Sequence, residues 1–441
     1  MLHHPALPIN QLLLAFLWAA AVIRIIWDLP ELRFVSGLVL AIYITLAISK
    51  IRKRMQTLIF CLTAVAISVA AIFDGWYTLW QGIEHSVIFA AFFGTVVLLR
   101  AAADQRPEIS RARLLVERLG SQERNSGLMA GSQFLGSILN VGVMSIFAPI
   151  VGQSSSAYIR KGAAEACLRG MCLCSLWSPF WLAMALCYEH LPDVTLWKIM
   201  ALGLSLVTIG FITAHFLFTS VVSLSGLIIA LSALLPVLLP VSAAACVVLA
   251  LNATTPLSTL QCLITGIPVF CFIGLSLQGY KYFKSAAVQL GKGIGAVHSE
   301  IILLTAAILL GKTLILAINE TGFDEMVAAF ELPDWAIITS IIATITLLAF
   351  VGIHQIITAT LVLVLFGTVK TDLLQLIIME ATLIGWALSS MTGLSAVSVA
   401  VASNMFKVSL EGLCYGPNLR FVISFGLISI VCLTILNRML I

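Results

Sequence analysis

The sequence is 441 residues long, 61% hydrophobic and only 10% charged, with a mean hydropathy of +1.09. Soluble proteins carry about 25% charged residues, so this composition excludes a sizeable soluble domain and predicts a polytopic membrane protein. The formal net charge of +4 says little, because the placement of Lys and Arg matters more than their sum. The 10 cysteines lie mostly singly in apolar runs, without the paired spacing of a metal site.

Apolar runs of membrane-spanning length open the chain, at about 9–27, 34–49, 57–80 and 84–99. The first run carries Arg24 and lacks a clear small-residue cleavage site, so we expect a retained helix rather than a signal peptide. Clusters of Lys and Arg follow the second and the fourth runs, and positive loops stay cytoplasmic. We therefore expect the N-terminus inside, and a short amphipathic interfacial helix over 104–124.

The segment 126–152 is apolar and flanked on both sides by positive charge. Arg124 lies before it, and Arg160 and Lys161 lie after it. A simple span would place Arg160 and Lys161 outside, against the positive-inside rule. We therefore favour a re-entrant hairpin with its tip near Asn140, with a plain span as the alternative.

The next apolar stretch, 164–188, is interrupted in its middle by Ser178 and Pro179. Proline removes a backbone donor and pushes the preceding residue out of helical geometry. In hydrocarbon, a freed backbone group must be satisfied by protein or by water. The segment is therefore either a kinked, packed helix or a broken helix that lines a cavity.

A second interrupted helix lies at 373–402. An offset of 214 residues lays its polar break on the first break and lays His354 on Asn140. The stretch 335–369 around His354 is again apolar and contains glycine, which predicts a second hairpin. Interrupted helices at matching positions of two halves are the best sequence pointer to the binding site of a transporter.

Further spans are predicted near 196–219, 224–251, 257–279, 299–318 and 420–438. Lys281, Lys284 and Lys292 indicate a cytoplasmic loop, whereas the loop after the 299–318 span is acidic and indicates the outside. On this count the C-terminus lies outside and the hairpins enter from opposite sides. The predicted fold class is an all-α polytopic membrane protein with about nine to eleven spans, two re-entrant hairpins and two broken helices in an inverted repeat.

The order of these elements divides the chain into four consecutive parts. They are the N-terminal scaffold helices (1–83), a first repeat (84–220), linking helices (221–297) and a second repeat (298–441). We predict that each repeat contributes one hairpin and one broken helix to a shared site.

These motifs resemble the ion transporter superfamily, which includes divalent anion/sodium symporters, citrate carriers, arsenite permeases and TRAP large subunits. That family carries Ser-Asn-Thr at its hairpin tips and a Pro nine residues past the Asn; here Asn140 is followed at that spacing by Pro149. Leu139 and Val141 replace the Ser and the Thr, and the second tip reads IHQIITAT. The resemblance covers both repeats and implies a carrier with opposed hairpins; we also expect a homodimer in the cytoplasmic (inner) membrane.

Half-helix ends and hairpin tips meet near the midplane in such an architecture, where helix N-termini suit an anion. The candidate substrate-binding residues are Asn140, Val141, Gly142, Ser175, Trp177, Ser178, Gln355, Thr358, Thr360, Ser389, Ser390, Thr392, Gly393 and Ser395. The competing interpretation of each Ser and Thr is that it only packs helices together.

His354 and Glu380 are the candidate proton-coupling residues, because ionisable groups at depth in a membrane are costly and are functional candidates by default. Histidine carries protons near neutral pH and is a poor sodium ligand, so proton coupling is the first hypothesis. Sodium near Asn140 and Thr392 is the alternative, and no other cofactor is expected. A structural role for His354 and an interfacial position for Glu380 remain open.

We therefore expect a secondary active transporter, not an enzyme, which moves a small anionic solute by alternating access, in symport with protons or sodium. Its expected partners are the lipid bilayer, a small-molecule or ion substrate and a second copy of the chain, with no nucleic acid. The alternative is a membrane-embedded enzyme or export protein that acts on a lipid-linked or polysaccharide substrate. The sequence contains no Walker A, HExxH or GxSxG motif, which argues against ATP-driven pumping and against those hydrolase classes.

Overall fold

The computed structural model describes residues 9–27, 29–106, 124–152, 155–218, 241–369 and 372–441, and every regular element in these ranges is a helix. Eleven segments in these ranges are long and apolar enough to cross a membrane. The prediction of an all-α polytopic membrane protein is therefore confirmed. The predicted interfacial helix over 104–124 and the first part of the predicted span 224–251 lie outside the described residues.

The first half of the chain forms helices α1 (Ile9–Ile26), α2 (Pro30–Ala47), α3 (Lys53–Ile72), α4 (Trp76–Ala103), α5 (Arg124–Leu139), α6 (Val143–Val151), α7 (Ala157–Cys172), α8 (Leu182–His190) and α9 (Leu196–Phe218). The second half forms α10 (Val241–Thr254), α11 (Thr259–Gln278), α12 (Tyr280–Ile294), α13 (His298–Thr321), α14 (Phe323–Ala328), α15 (Asp334–Val351), α16 (Gln355–Thr368), α17 (Gln375–Thr392), α18 (Val397–Phe406), α19 (Leu410–Cys414) and α20 (Asn418–Leu440). Short 3-10 turns extend α2 and α7 and separate α5 from α6.

The third predicted span was drawn too long. It was extended to residue 80, but α3 ends at Ile72 and α4 begins at Trp76. Asp74 adopts a left-handed backbone conformation with φ 52°, and the chain turns there before Gly75. An Asp-Gly pair inside an apolar run is a turn signal that outweighs the hydropathy of its neighbours.

The chain forms two compact units that alternate along the sequence. Unit 1 comprises Met1–Gln105 and Leu251–Met326, and its core is built by α4 and α13, whose residues are mostly buried. Unit 2 comprises Arg106–Ala250 and Val327–Ile441. It contains both predicted hairpins and both predicted broken helices, and the division into four consecutive parts remains a prediction.

Four names are used for the elements of unit 2. Hairpin 1 has the outgoing limb α5 and the return limb α6, and broken helix 1 consists of α7 and α8. Hairpin 2 has the outgoing limb α15 and the return limb α16, and broken helix 2 consists of α17 and α18. Break 1 and break 2 are the segments 173–181 and 393–396 between the two halves of each broken helix.

Candidate functional site

Hairpin 1 reverses its direction at Asn140. This residue has φ 52°, a left-handed conformation that asparagine tolerates better than most residues. Gly131 on the outgoing limb lies under the ring of Phe147 on the return limb, where a Cβ would come within 2.5 Å of the ring. The two limbs therefore pack against each other around a tip at Asn140.

Break 1 is hydrogen-bonded to the outgoing limb of hairpin 1. Ser178 Oγ donates to the carbonyl oxygen of Ser137 at 2.7 Å, and Trp181 Nε1 donates to the carbonyl oxygen of Gly136 at 3.1 Å. With the Gln133 amide oriented to satisfy its neighbours, its oxygen accepts from the Trp177 indole N–H at 2.8 Å. Protein groups thus satisfy polar groups at the break, as a low-dielectric surrounding requires.

Broken helix 1 approaches the outgoing limb most closely at Gly170. An ideal Cβ on Gly170 would stand 1.9 Å from the carbonyl oxygen of Met129, so the backbones touch where only glycine fits. The Met129–Gly170 and Ser137–Ser178 contacts have the same separation along the chain. The outgoing limb and broken helix 1 therefore run parallel, and α6 must carry the chain back between them.

The second half repeats this arrangement with different donors. Hairpin 2 turns at Gly352, which has φ 95° and lies three residues before its return limb begins, as in hairpin 1. The backbone N–H of Leu394 in break 2 donates to the carbonyl oxygen of Ala349 at 3.1 Å. Ser395 Oγ donates to the carbonyl oxygen of Ile353 at 2.9 Å. Break 2 is thus tied to its hairpin largely through the main chain.

The backbone pairs residues differently from the predicted offset. Asn140 and Gly352 hold the corresponding left-handed turns, so His354 lies two residues beyond the tip and not at the position of Asn140. Gly170 and Gly385 both face an outgoing limb, at an offset of 215 residues rather than the 212 that relates the tips. The second half contains three more residues between tip and contact, so a single offset of 214 misplaces the tip.

The two broken helices lie against each other in opposite directions. Near the start of α7, Arg160 Nε donates to the carbonyl oxygen of Phe406 at the end of α18, at 3.1 Å. In the other halves, Cys187 on α8 lies beside Glu380 on α17. Because contacts exist at both ends of the pair, breaks 1 and 2 lie at about the same level within unit 2.

Each return limb packs on a half-helix of the other repeat. The return limb α6 contacts α18, and the return limb α16 contacts α8. The half-helices α6, α8, α16 and α18 all begin next to a tip or a break, because each tip is bonded to its neighbouring break. Their N-termini therefore bring unpaired N–H groups to one region, while α5, α7, α15 and α17 bring the carbonyl ends.

The predicted hydroxyl residues fall into two groups. The hydroxyls that donate to a carbonyl three or four residues earlier in their own helix are Ser175, Thr358, Thr360, Ser389 and Thr392. Their donors are satisfied locally, as in ordinary helix packing, although their lone pairs can still accept. In contrast, Ser178, Ser390 and Ser395 connect separate elements, and Ser390 Oγ accepts from Gln355 Nε2 at 3.0 Å.

The remaining predicted binding residues lie at the tip and at break 2. Asn140 and Val141 are half-buried and Gly142 is exposed, and within the described residues no hydrogen bond holds the Asn140 amide. Gly393 is buried in break 2, where a Cβ would stand 2.6 Å from the carbonyl oxygen of Ser389. The Asn140 amide is thus the polar group of the tip that is available to a ligand.

Glu380 is fully buried in α17. In the described part of the chain neither of its carboxyl oxygens has a hydrogen-bond partner, and Gln355 Oε1 is also without one. The corresponding carboxyl in the first repeat is Glu165, at the same offset of 215 residues as the paired glycines. Glu165 Oε1 lies 3.9 Å from Lys161 Nζ, so the two equivalent carboxyls have opposite surroundings.

His354 is the N-cap of the return limb α16. Its Nδ1 accepts the backbone N–H of Ile356 at 3.3 Å, which fills one of the unpaired donors at the helix start. A protonated imidazole has no lone pair with which to accept, so this cap requires a neutral ring. The ring is therefore connected directly to the conformation of hairpin 2.

Arg169 joins three helices. Its Nη1 donates to Asn418 Oδ1 at 2.5 Å, and its guanidinium lies 4.1 Å from the centroid of the Phe218 ring. Asn418 Nδ2 in turn donates to the carbonyl oxygen of Glu165 at 3.3 Å. The residue that sequence reasoning offered as a lure for anions is thus engaged in tying α7 to α20 and α9.

Sequence reasoning missed several residues that build the site. These are Gln133, Ser137, Cys174, Trp181 and Ser398. Trp181 follows Pro179 by two residues, and an indole N–H next to a helix break is a signal that could have been used. Among the described residues, no group of three or more His, Cys, Asp or Glu side chains is placed to hold a metal ion.

No family model and no curated protein matches this sequence. A crystal structure of the YdaH transporter of Alcanivorax borkumensis, reported to have an unusual topology, is similar to this chain with a TM-score of 0.53 and 12% identity. The similarity covers 81% of this chain and 87% of that one. The chain shares its fold with a membrane transporter. The fold is what this likeness establishes, and membership of the ion transporter superfamily remains a prediction.

Proposed function

We propose that this chain is a secondary active transporter that moves a small anionic solute across the cytoplasmic membrane by alternating access. The observation that carries the proposal is the antiparallel pairing of two broken helices whose breaks lie at the same level. Two repeats of opposite direction give a site that each side of a membrane can reach in turn. The fold shared with YdaH, which is described as a transporter, supports this choice over an enzyme.

The arrangement of half-helices favours an anion together with a coupling cation. Four N-termini with unpaired N–H groups begin next to the tips and breaks, which suits negative charge. The carbonyl ends of the outgoing limbs and of α7 and α17 lie in the same region and suit a proton or a small cation. Asn140, Gln355 and Ser390 are the polar side chains we assign to the solute.

We assign proton coupling to Glu380 and His354. Burying an ionised carboxylate without a partner is very costly unless it takes up a proton, so solute binding near Glu380 and protonation are linked. Protonation of His354 removes the cap of the return limb α16 and so favours movement of hairpin 2. Sodium coupling near Asn140 and Thr392 is the alternative that the experiment separates.

The experiment is a two-stage assay with the purified full-length chain. A thermal-shift screen of small organic and inorganic anions, at several pH values with and without sodium, identifies a stabilising solute. Uptake of that solute into proteoliposomes is then measured against concentration. We expect uptake that saturates; flux proportional to concentration would indicate a pore, and stabilisation without any uptake would indicate a binding or enzymatic role instead.

A further inference from the structure

Helix α12 in unit 1 is amphipathic and basic. Its 15 residues, YKYFKSAAVQLGKGI, contain three lysines and no acidic side chain. At about 1.5 Å per residue the helix is roughly 22 Å long, shorter than the hydrocarbon core of a bilayer. It is therefore too short and too charged to be a span, and the function proposed above assigns it no role.

One face of α12 is packed inside unit 1. Phe283, Ala286 and Leu290 lie against Ala101 and Leu275 of the neighbouring helices α4 and α11. The C-terminal end of the helix is held as well. Gln11 Nε2 on α1 donates to the carbonyl oxygen of Gly291 at 2.8 Å. These contacts fix which side of α12 points outward.

The opposite face carries the positive charge. Lys281, Lys284, Val288 and Lys292 recur at spacings of three and four residues, so they form one stripe along the helix, and all four are exposed. Val288 is 54% exposed, and Tyr280 at the start of the helix is 81% exposed. Lysines with an aromatic ring and an aliphatic side chain are the composition of helices that lie on a membrane surface.

The chain on both sides of α12 holds it close to a membrane surface. The candidate span α11 ends at Gln278, one residue before α12, and Gly279 makes the turn with φ 105°. The next candidate span, α13, begins at His298, four residues after α12 ends. A helix tied so closely to two spans stays at the level of the phospholipid headgroups, where its lysines can reach phosphate.

We propose that the exposed stripe of α12 binds the headgroups of anionic phospholipids. A soluble acidic partner is a weaker choice, because the short tethers keep this face at the bilayer surface and Tyr280 and Val288 suit the interface between headgroups and acyl chains. Each lysine near an anionic surface strengthens binding about fivefold, so the three together should contribute roughly a hundredfold.

Native mass spectrometry of the detergent-purified full-length chain tests this site. Phosphatidylglycerol and phosphatidylcholine are titrated separately, and the apparent dissociation constant of the first bound lipid is measured. We expect tighter binding of phosphatidylglycerol, and the combined variant Lys281→Gln, Lys284→Gln, Lys292→Gln should lose most of that preference. The matching combination of Lys→Arg substitutions should retain it, since the charge is kept.

A second triple variant controls for overall charge. Lys198→Gln, Lys407→Gln and Arg438→Gln remove the same amount of positive charge from exposed positions elsewhere. This control should keep the preference for phosphatidylglycerol. Equal loss in both triple variants, or no loss in the α12 variant while its melting temperature is unchanged, overturns the proposal. Binding of a short single-stranded oligonucleotide through α12 without any preference for phosphatidylglycerol also overturns it, in favour of a soluble polyanion.

Discussion

The two repeats of unit 2 share a backbone plan and differ in the groups that hold it. In each repeat the break donates a hydrogen bond to the carbonyl three residues before the hairpin turn, at Ser137 in one and at Ala349 in the other. The donor is the Ser178 side chain in the first repeat and the Leu394 backbone N–H in the second. A side-chain donor can be removed by mutation and a backbone donor cannot, so the first repeat is the one that point substitutions should disrupt.

The equivalent carboxyls divide in the opposite sense. Glu165 in the first repeat has Lys161 beside it, whereas Glu380 in the second repeat is fully buried without a hydrogen-bond partner in the described part of the chain. A satisfied carboxyl stabilises a structure, and an unsatisfied buried one stores free energy that a proton or a ligand can release. The first repeat is therefore the structural half of the site and the second repeat the half that responds to protons.

The largest effect is expected at Gly170. Gly170→Ala places a Cβ 1.9 Å from the carbonyl oxygen of Met129, so α7 and the outgoing limb must move apart. Overpacking costs about 1–3 kcal/mol, and a clash with backbone lies at the upper end or beyond. The matched control is Gly385→Ala, whose Cβ would stand 3.0 Å from the Ile345 side chain, which can shift. Melting temperatures in detergent should fall clearly for the first variant and little for the second; equal falls would contradict the asymmetry.

Removal of the two equivalent carboxyl groups should separate coupling from structure. Glu380→Gln keeps the shape and eliminates the titratable group, so uptake should no longer respond to an imposed pH gradient. Glu165→Gln loses the interaction with Lys161 and should leave that response intact. The measurement is the ratio of solute uptake with and without the gradient in proteoliposomes. An unchanged ratio in Glu380→Gln would remove this carboxyl from the coupling mechanism.

Substitutions at break 1 and at the tip should weaken transport without unfolding the protein. Ser178→Ala leaves the buried Ser137 carbonyl without its partner, which costs about 1–3 kcal/mol, and Asn140→Ala removes the amide we assign to the solute. Apparent affinity should fall roughly ten- to a hundredfold in each. Ser395→Ala is the control in the second repeat, because the Leu394 backbone bond remains there and should limit the loss. Wild-type uptake in both Ser178→Ala and Asn140→Ala would count against this site.

The smallest effect is expected at the cap of α16. His354→Gln removes a titrating ring and weakens a helix cap whose loss costs about 1 kcal/mol. The response of uptake to a pH gradient should therefore decrease more than solute binding, which calorimetry measures separately. If sodium-dependent uptake is found and His354→Gln leaves it unchanged, the cap is the whole role of this residue.

The sequence contained the elements of the site but not their alignment. Charge at Arg124 and Arg160 together with the Ser178-Pro179 interruption was enough to predict hairpin 1 and break 1, because both signals act over short distances along the chain. The tip equivalence was wrong because it needs the backbone torsions at Asn140 and Gly352.

The partners of the break residues could not be predicted either. The bonds of Trp181 and Gln355 join residues 45 and 35 positions apart, and such contacts depend on the packing of helices rather than on local pattern. The different environments of Glu165 and Glu380 are of the same kind, since one periodic pattern places both on buried helices. Sequence reasoning therefore named the carboxyls and could not say which of them is paired.

The most direct test of a proton-coupled carrier is uptake into sodium-free proteoliposomes under an imposed pH gradient. The solute is the anion that the thermal-shift screen identifies, and the same vesicles with the gradient collapsed by a protonophore provide the baseline. We expect saturable uptake that exceeds this baseline and that Glu380→Gln reduces to it. Uptake that is identical with and without the gradient, or that does not saturate, would contradict the account of this chain as a proton-coupled transporter.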